Sequence, residues 1–179
     1  MADVDTLIQS VEVARTALLD SVAGLSEAQA AFKPGEGQWS VTDVLEHLYL
    51  AEFSGVAKIW TALEGFSRGT AWREDRPHRG KHIEDIVAGT WKPREVAPPI
   101  ATPHIGGPLQ LWVVATQSLR GVLAALGTQL QGVPLEDVVF PHYLSGPLDA
   151  CQRLEFLRFH IERHAAQIAR IRATEGFPA

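Results

Sequence analysis

Two histidines four residues apart, His160 and His164, are the residues whose spacing first indicates chemistry. In an α-helix this spacing separates side chains by about 40° around the axis and about 6 Å along it, so the two rings share a face. Both rings flank the apolar stripe of the same segment, which consists of Leu154, Leu157, Ile161, Ala165 and Ile168. Taken alone, the pair is open to two interpretations: buried structural imidazoles, or ligands that share one ion.

A third histidine, His47, favours a metal centre. It lies at the edge of another apolar helical stripe, formed by Val41, Val44, Leu48 and Ala51. Three neutral imidazoles from two packed helices can hold one divalent ion and leave a coordination position open. We therefore predict a site made of His47, His160 and His164, with zinc or nickel as the preferred metal and iron, manganese or copper as alternatives.

Several sharper metal motifs are excluded by spacing. A zinc protease of the H-E-x-x-H type needs glutamate directly after the first histidine, but here Glu162 stands two positions after His160. A zinc deaminase needs P-C-x-x-C, and Cys151 is the only cysteine. A di-iron bundle needs glutamate three residues before each histidine, where this sequence has Val44, Leu157 and Ile161. No phosphate-binding loop or dinucleotide fingerprint occurs.

The remaining histidines are weaker candidates. His78 and His82 repeat the four-residue spacing, but Gly80 between them and three nearby arginines oppose a preformed neutral ligand pair. His104 and His142 lie next to prolines in predicted connections, where we expect surface or supporting groups.

The elements that must position the site are helices. Apolar periodicity predicts four long ones, over about 4–23, 41–63, 108–130 and 147–174. Ser40 predicts an N-cap for the second helix, and Ser26 predicts a short capped turn before it. Pro108 and Pro147 stand at the predicted first positions of the last two helices, where proline loses no hydrogen bond.

A long connection, residues 65–106, separates the second and third helices. It is rich in proline, glycine and arginine, and only the string HIEDIVAG within it predicts a short helix. A crossover of this length would let helices two and three run parallel in an all-α four-helix bundle. The segment itself is expected to be a connector or a dimer contact. We predict a single domain over residues 1–179, since 46% hydrophobic content supports one core.

Charge and composition restrict the partners. The net charge is −5 and the basic residues are scattered, so we expect no nucleic acid. The most apolar stretch is interrupted by Gln117 and Arg120, so we expect no membrane span. The single cysteine and a start without a basic or apolar run predict a cytoplasmic protein.

Two segments resemble a known family. GQWSVTDVLEHLYLAE is similar to the W-S-x-x-[DE]-x-L-x-H-[LI] signature of the DinB-like superfamily, and FPHYLSGPLDACQRLEFLRFHIERHAAQIARI is similar to its closing pattern. The resemblance implies an up-down-down-up four-helix bundle with a three-histidine metal site, and in many members a homodimer. It places the ligands on His47, His160 and His164 and a frequent glutamine on Gln167. The sequence departs from the family at Pro141-His142, where the order is usually reversed.

Three functions remain open at this stage. The first is a metal-dependent enzyme, for which the resemblance implies a thiol-dependent transferase, with a low-molecular-weight thiol as cosubstrate, or a hydrolase acting on an unknown small molecule. In that case Gln167 would orient a ligand or the substrate, and Tyr49, Glu52, Trp112 and Tyr143 would line a pocket. The second is a non-catalytic bundle that is stabilised by metal or binds a small ligand. The third is a partner-binding module, which would need a large exposed apolar patch.

Overall fold

Side-chain caps begin three of the long helices. The computed structural model describes residues 3–92 and 95–179. Helix α1 (Val4–Val22) is capped by Asp3, whose carboxylate accepts a hydrogen bond from the Thr6 amide. Helix α3 (Val41–Ser67) begins with a capping box between Ser40 and Asp43, and α6 (Ala150–Arg172) with one between Asp149 and Gln152. Helix α5 (Leu109–Leu130) follows Pro108, which makes no side-chain cap.

Shorter elements fill the connections. The capped turn predicted at Ser26 is helix α2 (Glu27–Ala31), and HIEDIVAG forms helix α4 (Ile83–Thr90) as predicted. Two 3-10 turns cover Pro99–Ala101 and Leu135–Asp137. The antiparallel strands β1 (Val139–His142) and β2 (Gly146–Asp149) form a hairpin directly before α6.

The predicted start of the last helix at Gly146-Pro147-Leu148 is wrong, because these residues form β2. Gly146 has a positive φ of 70°, which suits a hairpin turn and not the first turn of a helix. Three residues later Asp149 provides a stronger start, since its carboxylate accepts from the Gln152 amide at 2.9 Å. The expectation of a purely helical chain therefore misses this hairpin. Elsewhere the predicted helix ends differ by a few residues at most, with α3 extending to Ser67 and α6 ending at Arg172.

The long helices pack in pairs around a common apolar core. Helix α1 packs along α6 and α5, and α3 packs along α5 and α6. Helices α1 and α5 approach closely at Gly127, where a Cβ atom would overlap the side chain of Ile8. The chain is thus mainly helical, as predicted.

One helix of the described part of the chain, α5, is long and apolar enough to cross a membrane by length and composition, with a mean hydropathy of 1.3 over its most apolar stretch. It carries Arg120 and packs against α1 and α3. Core helices commonly satisfy the same two criteria, so the lack of a membrane span stays a prediction.

A buried ion pair joins α1 to α3. The Arg15 guanidinium is fully buried and donates to the carboxylates of Glu52 on α3 and Glu12 on its own helix. Burial raises the pKa of Glu52 to about 7, against the lowering effect of Arg15. Each charge therefore depends on the other to offset the free-energy cost of its burial in the core.

Replacing Arg15 alone should be strongly destabilising. In Arg15→Met, Glu52 loses its partner, and we expect the free energy of unfolding to fall by about 3 kcal/mol. The double variant Arg15→Met/Glu52→Gln should recover much of this loss, because no uncompensated charge remains at the Glu52 position. Urea denaturation followed by circular dichroism measures both; a double variant no more stable than the single one would contradict the prediction.

Candidate metal centre

The three predicted histidines meet between α3 and α6. The Nε2 atom of His160 lies 3.2 Å from Nε2 of His47 and 3.1 Å from Nε2 of His164. All three rings are buried, and their ligand nitrogens lie within 4.8 Å of one another. In the ranges 3–92 and 95–179 no further histidine, cysteine or carboxylate joins this group.

Hydrogen bonds at the far side of two rings determine where their protons lie. The Nδ1–H of His47 donates to the Ala101 carbonyl at 2.7 Å, and the Nδ1–H of His164 donates to Oε1 of Gln167 at 2.7 Å. A neutral imidazole carries one proton, so Nε2 of both rings presents a lone pair towards His160. The single Nε2 of His160 can donate to only one of these two lone pairs at a time.

This donor set fits a divalent cation. Zinc–imidazole bonds of about 2.05 Å in a tetrahedral site separate two nitrogens by roughly 3.3 Å, close to the spacings that involve His160. Burial lowers the pKa of all three rings, that of His164 to about 3, so they are neutral near pH 7. Neutral imidazoles are the form that binds metal. A cation between the lone pairs would remove their mutual repulsion.

A buried glutamate, Glu46, anchors the segment whose Ala101 carbonyl orients the His47 ring. The Glu46 carboxylate, 1% exposed, accepts hydrogen bonds from the amides of His104, Ile105 and Gly106. These bonds anchor the end of the long connection to α3, beside the Ala101 carbonyl that holds the His47 ring. Sequence reasoning missed Glu46, because its partners lie 58 to 60 residues away.

The histidines face a cavity of about 860 Å³. Trp39 packs against His47 at 4.8 Å between ring centroids, and Phe156 stacks on His160 at 5.3 Å. Of the four predicted lining residues only Tyr143 is in the wall. Tyr49 and Trp112 instead pack against each other, and Glu52 pairs with Arg15 in the core. The site therefore combines a buried nitrogen cluster with open space for a small molecule.

Comparison with known proteins identifies the family. The family model described as the DinB superfamily matches residues 10–168. The chain belongs to the DinB superfamily. Neither curated proteins nor solved structures gave a match. Membership of the DinB superfamily and the buried three-histidine group are both compatible with a bound divalent metal.

The other histidines of this DinB-superfamily chain serve different contacts. The His78 ring bonds the Ser145 carbonyl through Nε2 at 2.8 Å, and neither His78 nor His82 belongs to the buried three-histidine group. His82 is the N-terminal boundary of α4, and its ring lies 3.3 Å from the Glu155 carboxylate. The exposed His104 ring bonds the Thr102 carbonyl. His104 is thus a surface group, one of the two roles expected for it.

His142 is different because it lines the cavity. Its Nδ1 accepts hydrogen bonds from the amides of Leu144 and Ser145, both at 3.2 Å, so its proton is on Nε2. The ring packs on Phe156 and Trp91. Burial, followed by the positive charges of Arg153 and Lys58, lowers the pKa of His142 to about 3. Protonation of Nδ1 would break both hydrogen bonds from the backbone amides.

His142 should therefore make the fold sensitive to acid. Its pKa is about 6.5 when unfolded and about 3 when folded, so its contribution is present above pH 6.5 and is lost as pH falls towards about 3. The unfolding free energy of metal-free His142→Gln should decline less over this interval than that of the unsubstituted protein. Urea denaturation across the pH range tests this, with His104→Gln as a control that keeps the original pH dependence. Identical pH dependence in His142→Gln would contradict it.

Proposed function

We propose that this protein is a metal-dependent enzyme of the thiol-transferase or hydrolase type. Its ion, zinc or nickel by preference, would be held by His47, His160 and His164. The observation that carries the proposal is the convergence of three buried Nε2 atoms, two of them with fixed lone pairs, at the wall of a cavity. The substrate is a small molecule that enters this cavity.

The chain's own contribution is to orient the donors and to keep them neutral. When bound, the ion supplies Lewis acidity, which lowers the pKa of a coordinated water or thiol. The Ala101 carbonyl and the Gln167 amide oxygen hold the outer nitrogens of two rings and so fix the tautomers. Trp39 and Phe156 cover the rings and limit access of water.

Among the residues described in the cavity wall, no general base stands beside the histidines. The acidic side chains there are Glu36 and Glu95, and neither bonds a ring of the cluster. This supports a nucleophile activated by the metal, either water or a low-molecular-weight thiol as cosubstrate. The thiol alternative rests on the resemblance to the superfamily.

A non-catalytic clamp between α3 and α6 is the second candidate. A structural metal site normally has four protein ligands and little free space. Here three ligands face about 860 Å³, which supports the enzyme over the clamp.

We also propose an up-down-down-up four-helix bundle, made of α1, α3, α5 and α6. Bonds from Arg120 to Thr16 and from Gln131 to Asp5 support an antiparallel α1–α5 pair. Gly55 facing Leu157, two turns beyond the His47–His160 contact, supports an antiparallel α3–α6 pair. Exposed apolar side chains on α5, namely Leu111, Val114 and Val122, support the expected homodimer. A cytoplasmic location stays a prediction from composition.

Removing either of the paired histidines should remove the metal. We expect His160→Ala and His164→Ala, purified without added metal, to lose most of the ion found in the unsubstituted protein, because two imidazoles bind divalent ions far more weakly than three. Elemental analysis measures the content, and His104→Ala should retain it. Full metal content in both cavity variants would refute the assignment.

The same variants test the reaction. Transfer assays with several low-molecular-weight thiols and an electrophile, together with ester and amide hydrolysis assays, should show turnover that disappears in His160→Ala and His164→Ala. Turnover unaffected by either substitution would exclude chemistry at this site.

Gln167 should contribute to metal affinity through His164. Gln167→Leu removes the acceptor of the Nδ1–H bond, and we expect metal affinity to fall by about 10- to 100-fold. Competition with a chromogenic chelator measures this affinity. Gln131→Leu, which changes an exposed glutamine outside the cavity wall, is the matched control. Equal affinities for the two variants would remove Gln167 from the site.

A further inference from the structure

The cavity contains positive charge that the protein does not neutralise. Its wall includes four basic side chains, Lys58, Arg153, Arg163 and Arg170, against two acidic ones, Glu36 and Glu95. Within residues 3–92 and 95–179, none of the four basic groups forms an ion pair. The whole chain has a net charge of −5, so this excess is local. Such a cavity attracts anions.

Lys58 and Arg153 form one part of this excess, because both lie against the Phe140 ring. Arg153 is 5% exposed; its Nη2 donates to the carbonyls of Phe140 and Pro141, while its buried Nε–H has no acceptor in the described chain. Lys58 Nζ and Arg153 Cζ each lie 6.0 Å from the centre of the Phe140 ring. After burial, the charge of Arg153 is the main cause that lowers the pKa of Lys58. Two cations therefore face the same space without a compensating anion.

A neutral donor lies beside these two cations. Because Nδ1 of His142 accepts two backbone amides, its Nε2 carries a proton, and the charges of both Lys58 and Arg153 act on this ring. The His142 ring packs on Phe156, which in turn stacks on His160. His142 thus lies between the cationic end and the histidine cluster.

The Lys58–Arg153 pair and the histidine cluster are separated along α6. Arg153 and His160 are seven residues, or nearly two turns, apart, which corresponds to about 10 Å. The wall between them is formed by apolar groups, including Phe156, Leu157 and Gly55. The cavity therefore presents the histidine nitrogens and, nearly two turns away along α6, the positive charge of Lys58 and Arg153, with apolar groups between them.

We propose that Lys58, Arg153 and the Nε2–H of His142 bind a carboxylate group of the substrate or cosubstrate, about 10 Å from the group that reacts at the three histidines. The assignment of the reacting end rests on the proposed function. Arg153 already donates through Nη2 to the hairpin carbonyls. The donors left for a ligand are the rest of its guanidinium, the Lys58 ammonium and the neutral His142 N–H, a set that suits the single negative charge of a carboxylate. Arg163 and Arg170, both exposed, lie where they steer anions into the cavity.

Calorimetric titration of the full-length, zinc-supplemented protein with straight-chain dicarboxylates tests this carboxylate site. One carboxylate can reach the histidine end while the other reaches Lys58 and Arg153, so affinity should increase with chain length up to a span of about 10 Å. Lys58→Gln should weaken binding of the best dicarboxylate about tenfold, the loss of one charge-assisted hydrogen bond. Lys58→Arg should restore it, since it keeps the charge.

Lys81→Gln is the matched control, because Lys81 is an exposed lysine outside the cavity wall; its affinity should stay within about twofold of the unsubstituted protein. Equal binding by Lys58→Gln and the unsubstituted protein, or no binding of any dicarboxylate, would overturn the proposal. Lys58 rather than Arg153 is substituted because Arg153 also holds the hairpin.

Metal analysis of the same samples separates the two proposals. Full metal content together with dicarboxylate binding that does not depend on Lys58 would contradict the carboxylate site but not the metal centre. Failure of the unsubstituted protein to bind zinc, together with Lys58-dependent dicarboxylate binding, would contradict the proposed function but not the carboxylate site.

Discussion

The site depends on two hydrogen bonds that lie behind the histidines. The Ala101 carbonyl and the Gln167 amide oxygen accept hydrogen bonds from the Nδ1–H groups of His47 and His164, so the Nε2 lone pairs of both rings point inward. Without these bonds the same three rings could form an ordinary chain of imidazole hydrogen bonds. With them, the cluster is compatible with a cation, which would be attracted to all three nitrogens at once.

The position of Ala101 links the long connection to the site. That connection crosses from α3 to α5, and the Glu46 carboxylate binds three consecutive amides near its end. Trp112 adds a bond from its indole N–H to the Gly106 carbonyl. A segment that looks like a simple connector in the sequence therefore supplies the carbonyl that orients the His47 ring and part of the cavity wall.

The sequence predicted what depends on local periodicity and missed what depends on long-range contacts. The four-residue spacing of His160 and His164 and the cap at Ser40 are local signals, and the structure has the expected shared face and helix start. The strand at Gly146 was missed because it exists only through pairing with β1. The wall residues Lys58 and Arg153 were missed because an isolated basic residue on a helix looks the same whether it faces solvent or a cavity.

The double use of Arg153 couples two parts of the molecule. Its Nη2 donates to the carbonyls of Phe140 and Pro141, and the residue also lines the cavity. A ligand that draws this guanidinium inward competes with the hairpin, and a ligand that fits around it tightens the hairpin. The rate of amide hydrogen exchange in the β1–β2 ribbon is thus a natural reporter of what occupies the interior.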